Sequence, residues 1–254
     1  EELTACANCQ PAIFTVSVAC YRALQQSYEF TPVACAGLSL GEYAALHAAG
    51  VYDFASALKL VSARGRLMDL ACQQLSGGMA AVLGVEQALV DDLCSRHGLQ
   101  IANYNSPGQV IISGASAALD RAVAELTAAG QKAIRLQVAG AFHSSLMSSA
   151  VEAFAAELDK YPASTAKTLV AQNFSGSLVS EVPELKKNLL YQISGSVRWE
   201  ACFQLLKAHC DVLIELGPGT VLAGLARRME RSFPVFSVNS SETLAKTLAG
   251  LKAL

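Results

Sequence analysis

The stretch GLSLGEYAAL (residues 37–46) places a serine between two glycines, where the apolar run VACA ends and a helical pattern begins. In a G-x-S-x-G elbow the serine lies on a strained turn between a strand and a helix, and the glycines let neighbouring backbone pass without Cβ clashes. The Ser39 hydroxyl would then be exposed at the carboxyl end of the strand. The N–H of Leu40 would point to where an oxyanion forms. This stretch predicts an α/β fold with a nucleophilic serine.

Strand and helix signals alternate in the outer parts of the chain. Pro11 suits the first turn of a helix running through IFTVSVACYRALQQ, and Asp53 is a plausible N-cap for a second long helix. VACA is a short buried-strand pattern. The later segments KTLVAQN (167–173) and DVLIELG (211–217) have the same pattern. The outer segments are therefore predicted to form an α/β unit with a parallel sheet.

The middle of the chain has a different order of elements. Strand, helix, strand, strand, helix and strand patterns follow one another between residues 76 and 138. This β-α-β-β-α-β order is the ferredoxin-like arrangement. We therefore expect a large subdomain of residues 1–75 and 139–254, with residues 76–138 inserted as a small subdomain. Ligand pockets favour such junctions, so we expect a site in the cleft between them.

Composition and charge limit the function classes. The 254 residues are 52% apolar, but no stretch reaches the roughly 18 uncharged apolar residues of a membrane-spanning helix. The net charge is −2, without blocks of like charge, so neither a nucleic-acid surface nor a membrane partner is expected. No targeting segment is visible. We expect a soluble intracellular protein of the cytoplasm, or of the plastid or mitochondrial matrix after removal of a transit peptide.

The eight cysteines are scattered and lie mostly in apolar patterns, which suits buried thiols in a reducing compartment. Cys6 and Cys9 form a single C-x-x-C. A metal site would need a second pair or histidines at ligand spacing, and a redox site would need a thioredoxin-like unit. Neither is evident, so no metal is expected.

A serine nucleophile needs a base, and the chain has four histidines. His47, His97 and His209 have ordinary structural explanations within or at the end of helices. His143 differs because it lies in a loop between the strand-like RLQV and a helical pattern, at the sheet edge expected for Ser39. His143 is the predicted base. No Asp or Glu stands out to orient the imidazole.

Arg64 interrupts an otherwise apolar helical face in SARGRLM. A solvated arginine on the outer face is one interpretation. The apolar neighbours favour an inward arginine, which needs an anion, and a carboxylate matches its planar fork best. The substrate is therefore expected to carry a free carboxylate.

Seven motifs in this order and spacing resemble a known family: GLSLGEYAAL, SARGRLM, GGMAAVLGV, ANYNSPGQVIISG, GAFHSSLM, YQISGSVRW and ELGPGTVLAGL. They look like the motifs of malonyl-CoA:acyl carrier protein transacylases and of the acyltransferase domains of polyketide synthases. The resemblance covers essentially the whole chain. It implies an α/β-hydrolase-like core with an inserted ferredoxin-like subdomain.

The resemblance also implies roles for five residues. Ser39 is the nucleophile and His143 the general base, with the Leu40 N–H in the oxyanion hole. Arg64 clamps the malonyl carboxylate, and the main-chain carbonyl of Gln192 orients the imidazole. Ser39 would take the malonyl group from coenzyme A and pass it to the phosphopantetheine thiol of an acyl carrier protein in a ping-pong reaction.

Further residues match family positions that line the active-site region. Asn105 and Gln10 are two of these. Phe142 resembles the bulky residue that excludes an α-methyl branch, and Leu40 is typical of malonyl users, so malonyl is expected over methylmalonyl. Leu38 stands where histidine is commonest, which would alter the pocket.

The expected partners are malonyl-CoA and an acyl carrier protein, with no cofactor and with the chain acting as a monomer. The family has an N-terminal segment with a Gly-Gln-Gly-Ser-Gln stretch that completes the oxyanion hole and adds a core strand. This chain begins after that stretch. We expect either numbering that starts within a longer protein or a fragment lacking one oxyanion donor, whose loss can cost about 10²- to 10³-fold in turnover.

Two rival functions remain open on the sequence. A serine esterase or thioesterase would use the same elbow and histidine, but it would not need Arg64. A catalytically silent docking module would bind the carrier protein without acylation of Ser39. Carrier proteins are usually acidic, so four basic residues are candidates for a docking patch, although solvated faces explain them equally well: Lys186, Lys187, Arg227 and Arg228.

Overall fold

The computed structural model describes residues 2–253, which form a mixed α/β fold. The helices of the described residues are α1 (Cys6–Ser27), α2 (Gly41–Ala48), α3 (Phe54–Gln74), α4 (Gln87–His97), α5 (Ser116–Ala128), α6 (Ser148–Leu158), α7 (Val182–Gln192), α8 (Trp199–His209), α9 (Val221–Met229) and α10 (Ser241–Leu251). The strands are β1 (Ala34–Ala36), β2 (Gly77–Leu83), β3 (Gln100–Ser106), β4 (Gln109–Ala115), β5 (Lys132–Arg135), β6 (Leu169–Gln172), β7 (Ser177–Val179), β8 (Leu213–Leu216) and β9 (Val235–Val238).

The middle of the chain forms a four-stranded sheet in the order β3-β4-β2-β5, with every neighbouring pair antiparallel. Helices α4 and α5 interrupt the strands at the places that the sequence pattern indicates. Their apolar faces pack on the sheet in one core cluster that includes Val90, Leu119 and Ile112. Helix α4 ends at His97, and the C-cap Gly98 that follows adopts the left-handed conformation expected there of a glycine.

The outer parts of the chain contain two smaller sheets. Strands β1 and β6 are parallel, β7 joins β6 in antiparallel orientation, and β8 and β9 form a separate parallel pair. The expectation of one parallel sheet is therefore wrong for the described residues. Strands β1 and β8 do not pair with each other, and both line an apolar cavity of about 750 Å³. Its lining includes neither Ser39, His143 nor Arg64.

Helix α1 begins one turn earlier than the position of Pro11 predicts. Its first residue is Cys6, and Pro11 lies inside the helix. The Asp69 carboxylate on α3 accepts hydrogen bonds from the N–H groups of Cys6 (3.1 Å) and Ala7 (2.8 Å). These donors have no partners within the helix, so a distant side chain stabilises the extra turn.

The close packing of α1 against α3 explains the glycine of the Arg-Gly pair. A Cβ at Gly65 would overlap the main-chain carbonyl of Cys6, so only glycine fits where the two helices cross. Asp53 caps α3 as predicted, because its side chain accepts the Ser56 N–H at 2.7 Å. Helix α3 is thereby fixed with Arg64 on its buried side.

The four-stranded sheet is tied to the rest of the chain at its β3 edge. The Tyr104 N–H donates to the Val197 carbonyl at 2.9 Å, and the Val197 N–H donates to the Ala102 carbonyl at 2.8 Å. Phe142 packs against the apolar clusters of both parts. The loop that carries His143 therefore lies at the junction.

The described residues contain no helix that is both long and apolar enough to cross a membrane. Within residues 2–253 no group of three or more His, Cys, Asp or Glu side chains is arranged to hold a metal ion. The eight cysteines are all free thiols, and Cys6 and Cys9 both lie in α1.

Candidate active site

Ser39 occupies a sharp turn between β1 and α2. Its φ angle is +51°, in the left-handed region that non-glycine residues rarely adopt. Asn173, at the end of β6, holds the turn: its Oδ1 accepts the Ser39 N–H at 2.6 Å, and its Nδ2 donates to the Gly37 carbonyl at 2.8 Å. The elbow predicted from the sequence is thus kept by a side chain from the neighbouring strand.

Gly37 and Gly41, which flank the elbow, differ in whether a side chain would fit there. A Cβ at Gly37 would overlap the main-chain carbonyl group of Gly41, so glycine is required at the first position. A Cβ at Gly41 would meet nothing within 4 Å. The expectation that both glycines relieve backbone clashes is therefore wrong for Gly41.

Ser39 and His143, the predicted nucleophile and base, are in contact, with Oγ 2.8 Å from Nε2. On the far side of the ring, Nδ1 lies 2.7 Å from the main-chain carbonyl oxygen of Gln192. A carbonyl can only accept, so Nδ1 carries the proton and Nε2 is free to accept the serine O–H. Gln192 is the last residue of α7, where carbonyls lack partners within the helix.

The imidazole is poised as a neutral base. His143 is buried, and the pKa of its imidazole is lowered to about 4, mainly by burial and to a smaller extent by the charge of Arg64. The hydrogen bond to the Gln192 carbonyl opposes this shift, because it favours the protonated ring. At neutral pH the ring is therefore uncharged and able to accept a proton.

Arg64 is buried, and its guanidinium faces Ser39. Nη2 donates to Ser39 Oγ and to Gln192 Oε1, both at 3.0 Å, and Nη1 donates to Gln10 Oε1 at 2.7 Å. The ring of Tyr43 lies 5.7 Å away, while Nε has no hydrogen-bond partner among the described residues. Burial lowers the pKa of this guanidinium, although it remains the cation of the site. Among residues 2–253 no carboxylate forms an ion pair with it, so it is available to an anionic ligand.

A buried polar network behind the site was not predicted from the sequence. Glu42 is fully buried, and its carboxylate accepts hydrogen bonds from Gln172, Asn173 and Gln192. Burial raises the pKa of Glu42 to about 7, although these three hydrogen bonds and the charge of Arg64 oppose the rise. In the sequence Glu42 directly follows Gly41 at the start of a predicted helix, where an acidic residue is ordinary and does not indicate burial.

This constellation has the parts of an acyl-transfer site: a strained serine, a neutral histidine on it and a buried cation beside it. The acyl transferase domain family matches residues 1–247 of the chain. The chain belongs to the acyl transferase family.

Relatives within this family have closely similar sequences and structures. The malonyl CoA-acyl carrier protein transacylase of Bacillus subtilis is 38% identical over 259 residues, which cover 99% of this chain and 81% of the relative. The crystal structure of FabD from Acinetobacter baumannii matches with a TM-score of 0.95 at 37% identity, covering 100% of this chain and 83% of that one. A malonyl-transacylase in complex with a type II PKS acyl-carrier protein matches with a TM-score of 0.93 at 33% identity, covering 98% and 82%.

The other predicted residues of this acyl transferase differ in their surroundings. The Leu40 N–H, at the start of α2, has no acceptor among the described residues. Asn105 is buried, and no described residue bonds its Oδ1. Phe142 is half-buried directly before His143, whereas Leu38 packs against the apolar cluster around Trp199.

The four basic residues of the predicted docking patch are on two helices. Lys186 on α7 is bound to Asp159 at 3.0 Å, and Lys187 is exposed. Arg227 and Arg228 are exposed near the end of α9, where Arg228 donates to Gln109 of β4.

Proposed function

We propose that this acyl transferase moves a malonyl group from malonyl-CoA to the phosphopantetheine thiol of an acyl carrier protein, in fatty acid or polyketide synthesis. One observation carries the proposal: the buried Arg64 guanidinium lies 3.0 Å from the Ser39 hydroxyl, which itself lies 2.8 Å from the base nitrogen of His143. A cation this close to the nucleophile suits an acyl group that ends in a carboxylate. The names of the relatives support the same substrate and acceptor.

In the first half-reaction, Ser39 Oγ attacks the thioester carbonyl carbon while His143 Nε2 takes the hydroxyl proton. The Leu40 N–H, at the positive end of α2, donates to the oxyanion that forms. Collapse of this intermediate breaks the C–S bond. The coenzyme A thiolate leaves with the proton from His143, and Ser39 keeps the malonyl group as an ester.

The second half-reaction repeats these steps with a different thiol. His143 takes the proton of the carrier's phosphopantetheine thiol, and the thiolate attacks the malonyl ester. The C–O bond then breaks, and His143 returns the proton to Ser39. Throughout, the Gln192 carbonyl at the C-terminus of α7 stabilises the imidazolium that forms twice in each cycle.

Arg64 determines which acyl group is accepted. The malonyl carboxylate would replace the Ser39 hydroxyl as an acceptor of Nη2, while Gln10 and Gln192 keep the guanidinium in place. Asn105 and Phe142 complete the substrate pocket, with Phe142 disfavouring an α-methyl branch. Leu38 lies behind the elbow and shapes the pocket only through apolar packing.

We assign residues 1–75 and 139–254 to an α/β-hydrolase-like large subdomain and residues 76–138 to a ferredoxin-like small subdomain. The strand order of the four-stranded sheet and its two helices support the second assignment. The parallel pairing of β1 with β6, and the elbow between β1 and α2, support the first.

Intact-protein mass spectrometry tests the proposal. Brief incubation with malonyl-CoA should add one malonyl group to the chain, and the adduct should be lost in Ser39→Ala. Ser149→Ala, an exposed serine of α6, is the matched control and should keep the adduct. Adding a carrier protein bearing phosphopantetheine should move the malonyl group to the carrier.

Two other results would contradict the proposal. Release of free malonate without transfer to the carrier would indicate an esterase or thioesterase. Carrier binding by a folded chain with no adduct on Ser39 would indicate a silent docking module.

A further inference from the structure

The catalytic elbow contains a buried carboxylate to which the reaction steps above assign no role. Glu42 lies three residues after Ser39, on the first turn of α2, and has no exposed surface. Its Oε1 accepts the Gln172 side-chain amide at 3.0 Å. Its Oε2 accepts the Asn173 main-chain N–H at 2.8 Å and the Gln192 side-chain amide at 3.0 Å. All three partners are donors, so they suit the ionised, acceptor-only carboxylate.

The contact with Gln192 determines which end of that amide faces Arg64. Gln192 Nε2 donates to Glu42 and to the Ser39 carbonyl, both acceptors, which leaves Oε1 to accept Arg64 Nη2 at 3.0 Å. A glutamine amide can be reversed at little steric cost, because its oxygen and nitrogen have similar size. The ionised Glu42 carboxylate and the Ser39 carbonyl can only accept, so together they exclude the reversed orientation. The same residue's main-chain carbonyl holds His143.

The contact with Asn173 reaches the serine itself. Glu42 fixes the main-chain N–H of Asn173, whose side chain spans the elbow from the Ser39 N–H to the Gly37 carbonyl. A backbone with φ of +51° persists only where its surroundings hold it. Glu42 is therefore linked by hydrogen bonds, through a single intervening residue in each case, to the serine elbow, to His143 and to Arg64.

Charge gives a further reason for a carboxylate here. The Gln192 amide lies between the Glu42 carboxylate and the Arg64 guanidinium, with its nitrogen toward the anion and its oxygen toward the cation. A direct ion pair would occupy the guanidinium. The amide spacer supplies a buried counter-charge and leaves Nη2 directed at Ser39.

We propose that Glu42 is the positioning residue of this site, which holds the base, the arginine and the serine elbow in register through Gln192 and Asn173. The part that concerns Arg64 and the malonyl carboxylate rests on the proposed function. The part that concerns Ser39 and His143 does not, because their geometry serves any acyl donor.

The test compares Glu42→Gln and Glu42→Asp with Glu184→Gln, an exposed glutamate of α7. A fluorophosphonate, which is uncharged and needs only Ser39 and His143, gives separate values for the maximal labelling rate and for reagent affinity. In Glu42→Gln we expect the maximal labelling rate to fall about tenfold or more, with affinity within about twofold of wild type. Malonylation should fall further, because Arg64 is also displaced. Glu42→Asp should recover part of both rates, and Glu184→Gln should match wild type.

A double-mutant cycle tests the route through Gln192. Gln192→Ala removes the amide but keeps the main-chain carbonyl that holds His143. If Glu42 acts through that amide, the double variant should lose less malonylation activity than the product of the two single losses. Independent, multiplying losses would overturn this route.

If a fluorophosphonate labels Glu42→Gln at the wild-type rate, the proposal is overturned outright. If Glu42→Gln does not fold, as judged by circular dichroism, Glu42→Asp takes its place. A folded Glu42→Asp chain that labels at the wild-type rate would overturn the proposal, and slowed labelling would support it. If wild type is labelled by fluorophosphonate but not malonylated, the proposed function fails while the Glu42 test still stands.

Discussion

The Arg64 guanidinium donates to the Ser39 hydroxyl at 3.0 Å, although Ser39 lies in the turn before α2 and Arg64 lies on α3. The same Ser39 Oγ lies 2.8 Å from His143 Nε2, so the arginine and the histidine both contact one hydroxyl oxygen. A short acyl group on Ser39 is brought within reach of this cation. A buried cation at this distance suits a short acyl group that ends in a negative charge.

Replacing Arg64 by methionine should therefore separate malonyl from neutral acyl groups. A hydrogen bond to a charged partner contributes about 1.5 to 3 kcal/mol, so the rate of Ser39 malonylation should fall about 10- to 100-fold. Acetylation by acetyl-CoA should change little. Arg66→Met is the matched control, because Arg66 is exposed on the same helix, 3.9 Å from Glu157. Equal losses with both thioesters would contradict the carboxylate role.

The acid limb of the reaction should lie near pH 4. Burial and the charge of Arg64 lower the pKa of His143 to about 4. If the neutral His143 is the base, as proposed, labelling of Ser39 by a fluorophosphonate should fall only as pH drops through that value. Arg64→Met removes a charge that lowers this pKa. In Arg64→Met the pH at which labelling falls should therefore be higher than in wild type. In Arg64→Lys, which keeps the charge, this pH should stay near the wild-type value. An unchanged limb in Arg64→Met would contradict the electrostatic cause.

The parts of this site that could be predicted are those marked by residue type and local sequence pattern. Ser39, His143 and Arg64 were predicted from residue type and local pattern: a glycine-flanked serine, a loop histidine and an arginine in an apolar helix. The structure places His143 and Arg64 each within hydrogen-bond distance of Ser39. The orienting group of His143 could not be predicted from residue chemistry, because any residue can supply a main-chain carbonyl. Only the family resemblance indicated Gln192.

The features that escaped prediction depend on contacts between distant segments. Helix α1 starts early because Asp69, more than 60 residues away, caps it. Glu42 resembles an ordinary acidic residue in the first turn of a helix, and its burial follows from Gln172 and Asn173 on another strand. Strand β7 has only three residues, too few for an alternating pattern to be recognised.

The two glycines of the elbow should respond oppositely to alanine. Gly37→Ala forces a Cβ onto the Gly41 backbone, so the free energy of unfolding should fall by about 2 to 4 kcal/mol. Gly41→Ala meets open space at the first position of α2, where alanine is favoured over glycine by up to about 1 kcal/mol. Urea unfolding of both variants measures the difference. A loss for Gly41→Ala as large as that for Gly37→Ala would show that the elbow is packed differently.

Shortening Phe142 should relax selection against an α-methyl branch. The side chain is half-buried beside His143, and one methyl group contributes about 1 to 3 kcal/mol, so Phe142→Leu should raise the methylmalonyl-to-malonyl rate ratio by up to about 100-fold. Competition between the two thioesters, followed by intact-protein mass, measures this ratio. Phe54→Leu, on the outer end of α3, is the control and should leave it unchanged. An unaltered ratio in Phe142→Leu would remove Phe142 from the specificity pocket.

Carrier binding should depend more on α9 than on α7. Lys186 already forms an ion pair with Asp159, so on α7 only Lys187 is exposed and without an ion-pair partner among residues 2–253. Arg227 and Arg228 are adjacent and exposed on α9. An acidic carrier is attracted by such a cluster at low salt. Arg227→Glu with Arg228→Glu should therefore raise the KM for the carrier about tenfold, with a weaker salt dependence, and Lys186→Glu with Lys187→Glu should have a smaller effect.

The control for these charge reversals is Arg121→Glu, an exposed arginine of α5 in the four-stranded sheet unit, which should leave the KM for the carrier unchanged. Malonylation of Ser39 by malonyl-CoA is measured in every variant, because it does not involve the carrier. If Arg121→Glu weakened carrier use as much as the α9 reversal, net charge rather than a local surface would explain the effect. If neither helix mattered, the carrier would have to dock on a face formed by other residues, and the α9 assignment would be wrong.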